Sequence, residues 1–412
     1  MTRAAKALTP KLRFPEFREW PKWDLLTLSS ASDVNPKNGG LPKQFIYIDL
    51  ESVKNSTLIE RKEISRDAAP SRAQRLLSRK DIIYQTVRPY QRNNLFFDID
   101  DGREYVASTG YAQIRAYGSP RFLYQLLHTD SFVRSVLARC TGSNYPAINP
   151  SALASIEVLL PKEGEQRKIA DCLGSLDDLI AAEARKLEAL RQHKKGLMQQ
   201  LFPQPGETAP RLRFPEFVGQ PLHHVRLRDL TEQSTARNGK KLSLEAVMGV
   251  NKEHGIVPMK KRLVAADISR YKLVRSNWFA YNPMRLNIGS IARYQGNGNI
   301  LVSPDYVVFR CLERSMPTGL LPEYLDSFRS CWQWHVFVNE AGDGGVRVRI
   351  YYRDLAQLQL ALPSIAEQRK IAECLGSLDA LIAAGGRKLE ALRQHKRGLM
   401  QQLFPNPKEG HA

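Results

Sequence analysis

The run EQRKIADCLGSLDDLIAAEARKLEALRQHKKGLMQQLF, residues 165–202, contains no proline, and prolines follow it at positions 203 and 205. Its apolar residues recur at alternating spacings of three and four, which predicts one long helix with an apolar seam. At 1.5 Å per residue, such a helix is roughly 55 Å long. The residues predicted to pack in this seam are Ile169, Leu173, Leu176, Ile180, Leu187, Leu190 and Leu197.

The same run occurs a second time in the chain. Residues 164–205 and 366–407 are identical at 35 of 42 positions, and the motif LRFPEF at 12–17 returns at 212–217. Because an isolated helix with this seam would expose a long apolar stripe, we expect the two helices to pack together as a coiled coil. Since a globular domain joins them in the chain, we expect them to run antiparallel with pseudo-twofold symmetry. The second seam consists of Ile371, Leu375, Leu378, Ile382, Leu389, Leu392 and Leu399.

The two copies differ near the middle of the predicted helices. The first copy has Glu183-Ala184 where the second has Gly385-Gly386. Each glycine inside a helix costs on the order of 1 kcal/mol relative to alanine. The second helix is therefore predicted to bend or fray at the glycine pair.

Between the repeated runs, residues 18–160 and 218–362 do not align with each other, yet both mix β-rich and helical runs. The predicted fold class is α+β, with two similar globular domains separated by two long antiparallel coiled-coil helices. The predicted boundaries are 1–160 for the first domain with its N-terminal segment, 161–205 for the first helix, 206–362 for the second domain, and 363–412 for the second helix with its tail. Strands are predicted at 45–50, 81–87, 155–161, 277–283, 289–294 and 305–310, and single helices at 122–138 and 323–338.

The charge of the chain indicates the kind of partner it binds. The 412 residues include 61 Lys and Arg against 42 Asp and Glu, a net charge of +19, of which +15 lies outside the two repeated runs. Such a surplus on a folded chain favours a polyanion, and nucleic acid is preferred because neither end carries a basic amphipathic anchor or a lipidation motif. No signal peptide and no run of about 18 apolar residues is found, and five scattered cysteines fit a reducing cytoplasm.

Motifs that would indicate catalysis are missing from the sequence. There is no phosphate-binding GxxxxGKS or GxxxxGKT loop, no HExxH, no GxSxG and no CxxC pair. The nearest string to the target-base motif of amino-methyltransferases, Asn282-Pro283-Met284, lacks the second proline and the aromatic residue. A nuclease core of the PD…(D/E)xK type is not assembled either. No catalytic residue and no metal site is therefore predicted.

The order of these motifs resembles the specificity subunit of type I restriction–modification enzymes. LRFPEF, a variable domain, and EQRKIA..LGSLD..I leading into a long helix occur twice in that order, and the likeness covers essentially the whole chain. The resemblance implies two target-recognition domains that each read one half of a bipartite, asymmetric DNA site. It also implies that the paired helices set the spacing of the half-sites and dock the methyltransferase subunits.

The partners implied by the resemblance are double-stranded DNA, two modification subunits and up to two restriction subunits. S-adenosylmethionine, ATP and Mg²⁺ are expected on those subunits, with no cofactor in this chain and no membrane partner. Two alternatives remain open. One is a coiled-coil interaction scaffold with non-specific affinity for DNA, and the other is an enzyme with an unrecognised site.

Residues that contact DNA are expected in loops that carry Arg, Asn, Gln and Tyr, because these side chains bind phosphates and base edges. In the first domain such loops follow the strand at 81–87 and surround residue 144. In the second they follow the strand at 277–283 and include a glycine-rich stretch before residue 353. The candidates are Arg88, Tyr90, Gln91, Arg92, Asn93, Ser143, Asn144, Tyr145, Asn282, Arg285, Asn287, Ser290, Arg347 and Arg349.

Overall fold

The structure is a computed structural model that describes residues 9–204, 207–239, 241–252, 254–312, 320–340 and 349–405. The contacts within the chain divide it into two units. The first unit consists of Met1–Ala184 with Arg387–Ala412, and the second unit is Arg185–Gly386. Each of the two long helices therefore contributes one part to each unit.

The first unit is built from short strands followed by helices. The strands are β1 (Asp24–Thr27), β2 (Ser32–Val34), β3 (Gln44–Ile48), β4 (Val53–Lys54), β5 (Thr57–Leu58), β6 (Lys62–Ser65), β7 (Ala73–Leu76), β8 (Ile82–Gln85), β9 (Leu95–Phe96), β10 (Tyr105–Ser108), β11 (Tyr111–Ala116) and β12 (Glu157–Leu160). The helices are α1 (Leu28–Ala31), α2 (Pro120–Leu127), α3 (Asp130–Leu137), α4 (Pro150–Ala154) and α5 (Glu163–Leu201).

The second unit repeats this order of elements. Its strands are β13 (His223–Arg226), β14 (Thr231–Ser234), β15 (Met248–Asn251), β16 (Gly255–Pro258), β17 (Lys272–Arg275), β18 (Phe279–Tyr281), β19 (Ile291–Arg293), β20 (Asn299–Val302), β21 (Val307–Cys311) and β22 (Gln359–Leu362). Its helices are α6 (Leu227–Leu230), α7 (Pro322–Phe328), α8 (Trp332–Glu340), α9 (Tyr352–Leu355) and α10 (Ile365–Leu403).

The sheets of the two units share one topology. The first unit has a sheet in the order β2-β11-β8-β9, and the second has β14-β21-β18-β19 in its place. The strand that precedes α5 pairs with β1, as the strand that precedes α10 pairs with β13. In the first unit β3 and β10 pair in parallel, whereas in the second this pairing is reduced to one parallel bridge between Val247 and Leu301. One α+β fold is thus used twice, although the two sequences do not align.

Two of the predicted helices are broken in the structure. Residues 122–138 form α2 and α3, because the Thr129 side chain accepts a hydrogen bond from the Phe132 backbone N–H and caps a new helix. Residues 323–338 likewise form α7 and α8, with α7 ending at Phe328. The predictions of a single helix in each segment were wrong, because the apolar spacing continues across both breaks, the first of which the Thr129 side chain caps.

The two long helices are uninterrupted from Glu163 to Leu201 and from Ile365 to Leu403. The prediction that the second helix frays at its glycine pair was wrong, because residues 385 and 386 lie within α10. The fourteen seam residues are all buried or half-buried. Apolar packing along the seam thus offsets the low helix propensity of two glycines.

The helices run antiparallel within each unit, as the ion pairs between them show. In the first unit, Lys396 Nζ of α10 lies 2.6 Å from Asp177 Oδ1 of α5. In the second unit, the repeat-equivalent pair joins Lys194 Nζ to Asp379 Oδ1 at 2.5 Å. A third pair, Lys388 with Glu183 at 2.8 Å, has no repeat equivalent because position 385 is glycine. The duplicated pairing is consistent with pseudo-twofold symmetry of the helices.

The LRFPEF segment closes each unit. In the first unit, Arg13 Nη2 lies 2.7 Å from Glu165 Oε2, and the Leu12 N–H donates to the Gln402 carbonyl at 3.0 Å. In the second unit the same contacts join Arg213 to Glu367 and Leu212 to Gln200. Each copy of the motif therefore ties the start of one long helix to the end of the other.

Gly386→Ala is expected to stabilise the second unit by roughly 1 kcal/mol, because alanine is the better helix former. An added Cβ at this position meets nothing within 4 Å. The matched change Ala184→Gly, at the repeat-equivalent position of α5, is expected to destabilise the first unit by a similar amount. Equilibrium unfolding in urea measures both, and an unchanged or lowered midpoint for Gly386→Ala would contradict the continuous helix.

Candidate nucleic-acid interface

The loop that follows β8, residues 86–94, is here called the Pro89 loop. It contains one turn of 3-10 helix at Pro89–Gln91, flanked by Arg88 and Arg92, each with a φ of +54°. Left-handed backbone costs a residue with a side chain roughly 1 kcal/mol or more, and such strain concentrates at functional sites. Two strained arginines within five residues mark this loop as a candidate binding surface.

A second loop, residues 141–147, packs beside it and is here called the Tyr145 loop. The Arg88 N–H donates to the Pro146 carbonyl at 2.7 Å, and Val87 and Ala147 form an isolated β-bridge. The Arg88 guanidinium lies over the Tyr145 ring at 4.3 Å from its centroid. The structure thus brings together two loops that the sequence predicted separately.

Arg88 is held in place without being neutralised. Within the residues that the structure describes, its side chain forms no hydrogen bond or ion pair, and its Nε is buried without a partner. The neighbouring rings are open to solvent, with Tyr90 exposed at 51% and Tyr145 at 65%. Ser143 and Asn144 are also exposed. A stacked guanidinium with free donors is suited to phosphate oxygens or to the acceptor edge of guanine.

The remaining candidates of the Pro89 loop have partners within the first unit. Arg92 Nη2 lies 2.6 Å from Asp130 Oδ1. The Gln91 side-chain carbonyl accepts from Gln85 Nε2 at 2.8 Å, and the Asn93 side-chain carbonyl accepts from the Asn55 N–H at 3.1 Å. These contacts hold the Pro89 loop against neighbouring parts of the first unit.

Sequence reasoning missed His128, whose imidazole holds Asn94 of the Pro89 loop by a hydrogen bond. Its Nδ1 donates to the Tyr124 carbonyl at 2.8 Å, and its Nε2 accepts from Asn94 Nδ2 at 3.3 Å. Asn94 is itself buried, and its Oδ1 accepts from the Gln85 N–H at 2.8 Å. Burial lowers the pKa of His128 to about 4, which keeps the ring neutral and able to accept. No sequence signal marks this histidine, because its role depends on a contact with Asn94, 34 residues away.

The second unit has a counterpart in residues 282–290, here called the Pro283 loop, which follows β18 as the Pro89 loop follows β8. The Asn282 N–H donates to the Ser290 carbonyl at 3.1 Å, and the Ser290 N–H to the Arg285 carbonyl at 2.9 Å. The Asn282 side-chain carbonyl accepts from the Met284 N–H at 3.0 Å. Arg285 and Asn287 are exposed.

The remaining candidates of the second unit are Ser290, Arg347 and Arg349. Ser290 is buried, and its hydroxyl donates to the Val250 carbonyl at 3.1 Å, so it supports the loop. Arg349 is exposed, and a hydrogen bond with Tyr351 raises the pKa of its guanidinium. Arg347 lies outside the described residues.

The same pairing of loops occurs in both units. In the second unit, the Ile350 N–H donates to the Pro283 carbonyl at 3.0 Å, so the Pro283 loop accepts, whereas in the first unit the Arg88 N–H of the Pro89 loop donates to the Pro146 carbonyl. The loop after β8 therefore pairs with the segment before the short helix α4, and the loop after β18 pairs with the segment before the short helix α9. The scaffold is common, and the exposed side chains on it differ.

Two further properties of the described residues bear on what the surface can do. No group of three or more His, Cys, Asp or Glu side chains that could hold a metal ion is found among them. None of their helices is both long and apolar enough to cross a membrane. The exposed arginines, amides and aromatic rings on the paired loops remain the chemically distinctive surface of each unit.

The family described as Type I restriction modification DNA specificity domain matches residues 31–192. This range includes the Pro89 loop and the Tyr145 loop.

Residues 31–192 thus resemble a type I restriction–modification DNA specificity domain.

Specificity subunits are also found among the curated relatives. The HindI specificity subunit of Haemophilus influenzae is 25% identical over 162 residues, which cover 38% of this chain and 35% of that protein. The putative MjaX specificity subunit of Methanocaldococcus jannaschii is 23% identical over 278 residues, covering 63% of this chain and 61% of that protein. The match thus spans about a third and about three fifths of these relatives' lengths. The resemblance to specificity subunits is confirmed.

A solved structure agrees on the fold. The S subunit of a type I restriction–modification system from M. genitalium superimposes with a TM-score of 0.62 at 14% identity, covering 97% of this chain and 99% of that chain. This likeness confirms the α+β fold with two domains and paired long helices. The Pro283 loop lies outside the residues that the specificity-domain family matches, so its assignment rests on its structural equivalence to the Pro89 loop.

Acidification is expected to destabilise the first unit through His128. Its folded pKa of about 4 lies below the usual 6.5, so the unfolded chain takes up a proton first as the pH falls. The stabilisation is therefore complete above about pH 6.5 and is lost as the pH falls towards 4. Denaturant midpoints between pH 7.5 and pH 4.5 should fall more steeply for the wild type than for His128→Gln. His193→Gln, on α5, is the control, and equal slopes for His128→Gln and the wild type would contradict the prediction.

Proposed function

We propose that this chain is the DNA-recognition subunit of a type I restriction–modification complex and that each unit reads one half of a bipartite, asymmetric DNA site. The observation that carries the proposal is the repetition of one loop arrangement with different residues. In both units a backbone hydrogen bond joins a proline-containing loop to the segment before a short helix, with the loop as donor in the first unit and as acceptor in the second. A common scaffold with different exposed side chains is what two readers of different half-sites require.

The charge of the chain supports DNA as the partner. The globular segments outside the two repeated runs carry +15 of the net charge of +19, divided almost equally between the two halves. Phosphate contacts supply sequence-independent affinity, and exposed Arg, Asn and Tyr side chains supply discrimination between bases. Positions with these properties are Arg88, Tyr90 and Asn144 in the first unit, and Arg285, Asn287 and Arg349 in the second.

The long helices are proposed to have two roles. Their continuous, antiparallel pairing supports a rigid spacer between the half-sites, and their near-identical sequences support docking of two copies of one methyltransferase subunit. The chain itself is proposed to be non-catalytic and cytoplasmic. S-adenosylmethionine, ATP and Mg²⁺ would be bound by the two modification subunits and up to two restriction subunits.

Selection from a randomised duplex library tests the proposal directly. The full chain, bound to its modification subunit, is expected to enrich a motif with two defined halves around a spacer without sequence preference. Arg88→Gln is expected to relax one half and Arg285→Gln the other, with a loss of roughly 1–3 kcal/mol of discrimination if the lost contact is to a base. Enrichment of no motif by the wild-type complex would favour a scaffold with non-specific affinity.

The spacing role predicts a change in the length of the motif. Removing one matched heptad from each helix, residues 183–189 and 384–390, shortens the pair by roughly 10 Å. Because base pairs are about 3.4 Å apart, the spacer is expected to lose about three base pairs while both halves keep their sequences. Methylation mapping in cells that carry the shortened chain measures the spacing, and an unchanged spacer would contradict this role.

A further inference from the structure

We infer that Arg92 is a positioning residue, and that with Asp130 and His128 it anchors the Pro89 loop so that Arg88 is the arginine that contacts DNA. The inference rests on the proposed function and assigns different roles to two arginines of one loop. Both have the same left-handed backbone and stand only four residues apart. Their side chains, however, have opposite environments.

Both terminal nitrogens of the Arg92 guanidinium have partners. Nη2 lies 2.6 Å from Asp130 Oδ1, and Nη1 donates to the His128 carbonyl at 3.2 Å. These acceptors stand at the junction between α2 and α3, so Arg92 fastens the end of the loop to that junction. Its charge is paired with a carboxylate, whereas the Arg88 guanidinium has no such partner among the described residues.

The imidazole of His128 provides a second, independent fastening. Its Nε2 accepts from Asn94 Nδ2 at 3.3 Å, so residues 92 and 94 both attach to one histidine. The loop is thus held near its start by the stacking of Arg88 on Tyr145, and near its end by the contacts of residues 92 and 94 with His128. The strained backbone at Arg88 and Arg92 persists because these contacts hold it.

The second unit shows that this position is structural. Counting from the loop proline, Arg92 corresponds to Leu286, which is 1% exposed and belongs to the apolar core of its unit. The residues directly after each proline, Tyr90 and Met284, are both exposed, at 51% and 45%. The third residue after the proline therefore fastens the loop in both units, by an ion pair in one and by apolar burial in the other.

The test uses the full chain with its modification subunit and a duplex carrying the selected site, over a range of salt concentrations. If Arg92 positions the loop, Arg92→Gln and Asp130→Asn should each weaken preference for the first half-site, by roughly 10-fold. The double variant should be no worse than Arg92→Gln alone, since Arg92→Gln already removes the contact with Asp130. The dependence of binding on salt should stay unchanged for all three variants, because no phosphate contact is lost.

Arg92→Lys distinguishes the roles even where another variant fails to fold. Lysine keeps the charge but cannot bridge Asp130 and the His128 carbonyl, so a positioning role predicts loss of preference and a phosphate contact predicts near-normal binding. Tighter binding by Asp130→Asn, or a salt slope reduced by about 1 in Arg92→Gln, would overturn the inference. The matched control Glu232→Gln, which breaks a similarly exposed Arg–Glu pair in the second unit, should leave the first half-site unaffected. Absence of any selected site in the wild type would instead overturn the proposed function.

Discussion

Each unit depends on one buried ion pair between the LRFPEF motif and the start of a long helix. Glu165 and Glu367 are each only 1% exposed, and Arg13 and Arg213 reach them from the repeated motif. Removing one partner of such a pair leaves a buried charge, which typically costs about 3–5 kcal/mol. The adjoining backbone hydrogen bonds tie the same motif to the end of the other helix. Through these contacts the motif joins the two long helices within each unit.

Much of the fold could be predicted from the repeat. The seam spacing predicted two long helices, the need to bury both stripes predicted that they pair, and the globular domain that joins them predicted that they run antiparallel. Two local features could not be read in this way. The break before α3 depends on the Thr129 cap, which competes with an apolar pattern that runs through it. The continuity of α10 across residues 385 and 386 depends on packing, which outweighs helix propensity.

The candidate interface was predicted as a set of loops, and the structure organises them into pairs. Arg88 and Tyr145 are 57 positions apart in sequence, so their stacking has no local signal. His128 and Asn94 were missed because a buried polar contact between distant residues leaves no spacing pattern. Ser290 was predicted to contact DNA because of its residue type. The structure buries it, and its hydroxyl donates to the Val250 backbone carbonyl, as serine hydroxyls in turns often bond to backbone groups.

The claim that each unit reads its own half of the site is tested most directly by a chain with two copies of one reader. Residues 12–163 would be replaced by the repeat-equivalent residues 212–365, which leaves both long helices in place. Methylation mapping in cells that carry this chain with the modification subunit should show a site whose two halves are both the half read by the second unit. A site that still contains the original first half would contradict the claim.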